Sequence, residues 1–128
     1  MLVALLMDMD KQLILVVDDD MDIRDCLQEA LESEGYSIVT AKDGKEALEV
    51  LENPVRPGLI LLDMMMPTMN ACEFVEQQNQ SPRLKQIPTV IMSASNVENK
   101  ALDLSVSGHI KKPFDFENLL ETVKHHCA

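Results

Sequence analysis

Basic residues are scarce in this chain of 128: 11 Lys and Arg stand against 22 Asp and Glu, for a formal net charge of −11. A surface that holds nucleic acid or an anionic membrane through phosphates needs clustered cations. The balance therefore argues against both and leaves proteins or cations as partners. Cysteine is also rare. Cys26, Cys72 and Cys127 make neither the even set of a disulfide framework nor the close pairing of a zinc site, the pattern of reduced thiols in a cytoplasmic protein. No apolar run reaches the roughly 20 residues of a membrane-spanning helix. The opening patch from Leu2 to Met7 is far shorter and has no basic residue ahead of it, so neither a signal peptide nor an anchor is expected. Repeats and low-complexity linkers are missing as well. What is present, 46% hydrophobic and 26% charged residues, is ordinary globular material long enough for one buried core. The expected division is an extension over residues 1–11 and one domain over 12–128.

The domain is organised around residues 59–67, LILLDMMMP, where an apolar run is broken by one carboxylate, Asp63. Apolar residues in succession, bounded by Pro57 and Gly58 before and Pro67 after, predict a strand covered on both faces. Leu13 to Val17 repeats the pattern and ends in Asp18, Asp19 and Asp20. Ile23, Leu27, Ala30 and Leu31 then form a helical stripe that Gly35 stops. Ser37 to Ala41 is a short strand, and Asp43 caps a second helix through Ala47, Leu48 and Leu51. Asn70 caps a third helix carrying Phe74 and Val75, and the polar stretch Gln77–Gln86 returns the chain to a fourth strand, Thr89 to Met92. A weaker helix follows through Val97, Ala101 and Leu104, then a very short strand around Ile110. A last helix has Phe116, Leu119, Leu120 and Val123 on one face. Five strands alternating with five helices predict an α/β fold, a parallel sheet with helices on both sides.

Parallel strands bring their carboxyl ends to one edge, where ligands bind. That edge would collect Asp18 and Asp19, Asp63, Ser93, and Lys111 and Lys112 just ahead of Pro113. Each also fits a plain structural role: one of the first acids as a helix cap, Ser93 as a helix initiator, Lys112 as a solvated lysine. Jointly they are complementary. Clustered carboxylates resist ionisation unless a hard cation such as Mg²⁺ joins them, and a lysine and a hydroxyl beside it suit a phosphoryl group.

The segments LILVVDDD (13–20), DGKEALE (43–49), LILLDMMMP (59–67), PTVIMSAS (88–95) and GHIKKPF (108–114) resemble, in order and spacing, the CheY-like receiver domain of two-component response regulators. The resemblance implies a flavodoxin-like, doubly wound (βα)5 fold with strand order 2-1-3-4-5. It implies that Asp63 is the phosphoacceptor for a histidine kinase phosphohistidine, and that Asp18, Asp19, Asp63 and the Met65 carbonyl hold Mg²⁺. Ser93, the Ala94 N–H and Lys112 would bind the phosphoryl group, with a cis bond before Pro113. Ser93 and His109 would form the switch, His109 standing where Tyr or Phe is usual. Ala71 replaces a usual Gly and Gly58 a usual Asp.

No residues follow the last predicted helix for a DNA-binding output. A single-domain regulator is therefore expected, not an enzyme acting on free substrate. Its partners would be a sensor histidine kinase or phosphotransfer protein and a downstream effector protein. The effector would read the face made by the helix near residues 97–104, the fifth strand and the last helix. The alternatives are a Mg²⁺-dependent phosphohydrolase using an aspartyl phosphate, which commonly has a second acid where this chain has Met65, and a receiver-like interaction module that is never phosphorylated.

Overall fold

The computed structural model describes residues 13–52, 56–66, 69–93 and 106–127. Its strands are β1 (Leu13–Val17), β2 (Ser37–Ala41), β3 (Leu59–Asp63), β4 (Thr89–Ser93) and β5 (Gly108–Lys111). The helices described are α1 (Met21–Glu32), α2 (Gly44–Glu52), α3 (Ala71–Asn79) and α4 (Phe116–Cys127), with a 3-10 turn at Leu84–Gln86. All strand pairings are parallel, in the order β2-β1-β3-β4-β5. The residues 1–11 extension and the helix expected through Val97, Ala101 and Leu104 lie outside the described residues.

Alternation along each strand splits the core into two layers. Leu15, Val17, Ile60, Leu62 and Ile91 face α2 and α3, meeting Ala47, Leu51, Phe74 and Val75. Ile14, Val16, Leu59, Leu61, Val90, Met92 and Ile110 face α1 and α4, meeting Leu27, Leu31, Leu119 and Val123. Because both faces are covered, β3 and β4 are buried at every residue, which is why their sequences are not amphipathic. Phe74 is wholly buried, and its truncation to Ala would cost about 3–5 kcal/mol.

Local signals set the helix ends. Asp20 caps α1, its side chain accepting the Asp22 N–H, and Gly35 follows with φ at 96°, a conformation that glycine adopts without steric cost. Asp43 Oδ1 accepts the Glu46 N–H at 2.8 Å, while Glu46 reaches back to the Lys42 N–H. Asn70 and Glu73 form a reciprocal capping box, so α3 starts at Ala71 despite the missing glycine.

Two side chains depart from the sequence reading. Phe116, expected on the buried stripe of the last helix, is 43% exposed: it is the first residue of α4, one turn ahead of Leu119, where the buried face of the helix begins. Gln78, in the stretch read as a polar return, is buried. Its amide donates to the carbonyls of Leu84 and Ile87 and exchanges hydrogen bonds with Thr89, tying the end of α3 to the start of β4. A buried amide is tolerated only when satisfied in this way.

Candidate functional site

The register that aligns Val17 with Leu62, Asp63 with Met92 and Ser93 with Lys111 brings the ends of β1, β3, β4 and β5 level. Asp18 follows β1 and is wholly buried; Asp63 closes β3 and Ser93 closes β4, both buried; Asp19 is exposed. Lys112 directly follows β5 and is joined to Pro113 by a cis bond, and its N–H donates to the Ser93 carbonyl at 2.7 Å. Its ammonium bridges Asp18 Oδ2 at 2.8 Å and Asp63 Oδ1 at 3.2 Å. The Met65 N–H lies 3.4 Å from Asp63 Oδ1.

Two buried carboxylates sharing one lysine are short of positive charge. Burial, and then the neighbouring Asp18, push the Asp63 carboxyl up to about 6, while Lys112 pulls it back only in part. Burial works against the Lys112 ammonium, but its bonds to Asp18 and Asp63 hold it above the ordinary lysine value. Asp18, Asp19 and Asp63 can each present an oxygen such that all lie within 4.8 Å of one another. That all-oxygen donor set suits a hard divalent cation, and Mg²⁺ fits it because it keeps several waters and needs few carboxylates. Ser93 Oγ is buried without a hydrogen-bond partner among the described residues. A buried hydroxyl in that state, at the end of the strand next to the one that closes in Asp63, is placed to bond an incoming acceptor.

The structure separates the sequence-predicted residues. Asp18, Asp19, Asp63, Ser93 and Lys112 converge, and Met65 borders them. His109 does not join them; it stands exposed on β5, the edge strand of the sheet. Ala94 lies outside the described residues. Asp20 serves as the α1 cap.

Two features were missed from sequence. Arg24 Nη1 donates to the Asp18 carbonyl at 2.6 Å, a contact signalled only by an arginine one helical turn beyond the cap. The large apolar side chains most open to solvent among the described residues, Met21 (61%), Met65 (69%) and Phe116 (43%), come shortly after the carboxyl ends of β1, β3 and β5. Each opens a helix or follows a site residue, but nothing in periodicity distinguishes them from core positions.

A doubly wound α/β domain with an acidic cleft closed by a lysine is what fold and site define. A sequence model described as the response regulator receiver domain matches residues 14–124. The chain belongs to that family and is the receiver domain of a two-component response regulator. It is 34% identical over 114 residues to the response regulator MprA of Mycobacterium sp. (strain KMS), covering 87% of this chain and 48% of that protein. The chain spans about half the length of the curated relatives it matches. The solved chemotaxis protein CheY4 of Vibrio cholerae, at low pH, is 30% identical with a TM-score of 0.82, covering 89% of this chain and 97% of that one. The receiver domain of sensor histidine kinase PA1611 from Pseudomonas aeruginosa, solved with a magnesium ion in its active site cleft, shares the fold. Its TM-score is 0.83 at 21% identity, covering 91% of this chain and 97% of that one.

Among the described residues no helix is long and apolar enough to cross a membrane.

Proposed function

We propose that Asp63 accepts a phosphoryl group from the phosphohistidine of a sensor histidine kinase or phosphotransfer protein. An Asp63 carboxylate oxygen forms the new O–P bond as the donor's N–P bond breaks, and the electron pair leaves on the imidazole, which takes a proton from solvent. The observation that carries this reading is the buried Ser93 hydroxyl, unpartnered among the described residues and closing the strand next to the one that ends in Asp63. Incoming phosphoryl oxygens would satisfy it, with Lys112 neutralising their charge.

Asp18, Asp19, Asp63 and the Met65 carbonyl are the residues that would hold Mg²⁺. Bound there, the ion supplies positive charge that offsets the carboxylates and the phosphoryl oxygens together. Lys112 must then exchange its two carboxylate partners for the phosphoryl group. With the acceptor inside the protein, the chemistry is self-directed: one transfer in and slow hydrolysis out, with no free substrate turned over.

The output would be a changed surface around β5 and α4, with Ser93 drawn toward the phosphoryl group and His109 turning inward. A protein effector or a further phosphotransfer step would read it. A receiver domain working in the cytoplasm, without nucleic acid or membrane contact of its own, goes with this reading.

Incubation with acetyl phosphate and Mg²⁺, followed by intact-mass measurement, tests it. One phosphoryl adduct is expected in the parent and none in Asp63→Asn. Rapid multiple turnover of an external phosphate ester would instead establish the hydrolase. No adduct under any condition would leave an interaction module.

A further inference from the structure

Asp18 is the most completely tethered residue of the cleft. Its N–H donates to the Ala41 carbonyl at 3.1 Å, its Oδ1 accepts the Asp20 N–H at 2.9 Å, and its Oδ2 accepts Lys112 Nζ at 2.8 Å. Its remaining polar atom, the carbonyl oxygen, accepts Arg24 Nη1 at 2.6 Å. Arg24 lies in a segment crowded with acids, Asp19, Asp20, Asp22 and Asp25. Among the described residues it nevertheless closes no ion pair and gives its guanidinium to a main-chain oxygen instead.

That oxygen belongs to the peptide unit joining Asp18 to Asp19. The unit is planar, so holding its C=O fixes the direction in which the chain leaves Asp18 and where the Asp19 carboxylate stands. We propose that Arg24 is a positioning residue for the divalent-cation site, clamping the Asp18–Asp19 peptide so that both acids face the cleft. The inference rests on the reading that these acids hold Mg²⁺. Without the clamp, the carbonyl loses its donor and the peptide is free to turn toward water, carrying Asp19 with it.

The sign of the effect separates positioning from simple charge. Arginine is a fixed positive charge next to a dication site, so removing it should tighten Mg²⁺ binding if electrostatics alone mattered. Loss of positioning weakens it. The test is calorimetric titration of Mg²⁺ into the full chain and into Arg24→Met, which keeps the apolar stem and removes the donor, and Arg24→Lys, which restores a donor and the charge. Thermal unfolding in chelator checks that each variant folds. The expected result is at least fivefold weaker binding in Arg24→Met and affinity within twofold of the parent in Arg24→Lys. Equal or tighter binding in a folded Arg24→Met overturns the inference and leaves the cation site intact. Should Arg24→Met not fold, Arg24→Lys decides alone through the Asp19 amide resonance on Mg²⁺ addition. A parent-like shift supports the clamp, and an unchanged resonance overturns it. A parent that takes up no Mg²⁺ overturns the cation-site reading itself, and the inference with it.

Discussion

Replacing Asp63 by Asn should stabilise the metal-free protein at neutral pH, although Asp63 is a central residue of the site. The carboxyl is held at about 6 rather than 3.8, so at pH 7.5 its ionised form opposes folding. At about 1.4 kcal/mol per pKa unit the full shift corresponds to about 3 kcal/mol. The cleft opens to solvent, and screening reduces that by about half. The attraction between Lys112 and Asp63 is already contained in that net shift, and Lys112 keeps its 2.8 Å pair with Asp18 in the variant. The balance is a gain of about 1.5 kcal/mol, or about 5–7 °C in Tm for a domain of this size. Because folding raises this pKa, the folded chain binds the proton more tightly than the unfolded one. The parent therefore loses stability as pH rises from about 4 through 6, and the advantage of Asp63→Asn closes as pH falls back through that window. Thermal unfolding of parent and variant in chelator between pH 4 and 8 measures it. A lower Tm for Asp63→Asn at pH 7.5, or a gain undiminished at pH 4, would refute the reasoning.

Asp19→Ala should weaken Mg²⁺ binding at least tenfold, about 1.4 kcal/mol, in a calorimetric titration, since it removes one of three converging carboxylates. Ser93→Ala should change resting stability by less than about 1 kcal/mol, because the hydroxyl has no hydrogen bond to lose among the described residues, yet slow phosphorylation by acetyl phosphate at least tenfold. Met65 stands exposed two residues after Asp63, the proposed acceptor, and cannot orient a hydrolytic water, so the aspartyl phosphate should decay slowly, and Met65→Asn should shorten its lifetime in a decay time course. His109→Ala should leave phosphorylation of Asp63 nearly intact while reducing the chemical-shift changes that phosphorylation causes around β5 and α4.

The strands were the most legible part of this chain. LILVV, LILLD and TVIMS are buried at nearly every residue because helices cover both faces of the sheet, and a stretch that meets apolar neighbours on both sides has no room for polar ones. Caps were legible for the opposite reason: Asp43 and Asn70 act on N–H groups three residues away, and that distance is written in the sequence. Phe116 fits a helical stripe but sits one turn beyond the layer it would have joined. The burial of Gln78 depends on the carbonyls of Leu84 and Ile87 and the hydroxyl of Thr89 turning toward it, partners six to eleven residues along the chain that no local pattern announces.

The sequence by itself determined which residues reach the cleft. A parallel sheet delivers every strand's carboxyl end to one edge, so a polar residue placed after an apolar run is carried there whatever the details of packing. Only the tertiary structure decided what those residues do to one another. Lys112 bridges Asp18 and Asp63, which lie 94 and 49 residues before it, Ser93 keeps a buried hydroxyl without a partner among the described residues, and burial beside Asp18 pushes the Asp63 carboxyl up to about 6. These are properties of distance and burial, since a charge interaction changes over a few ångströms and with the water removed around it. They exist only once strands distant in sequence have been brought side by side.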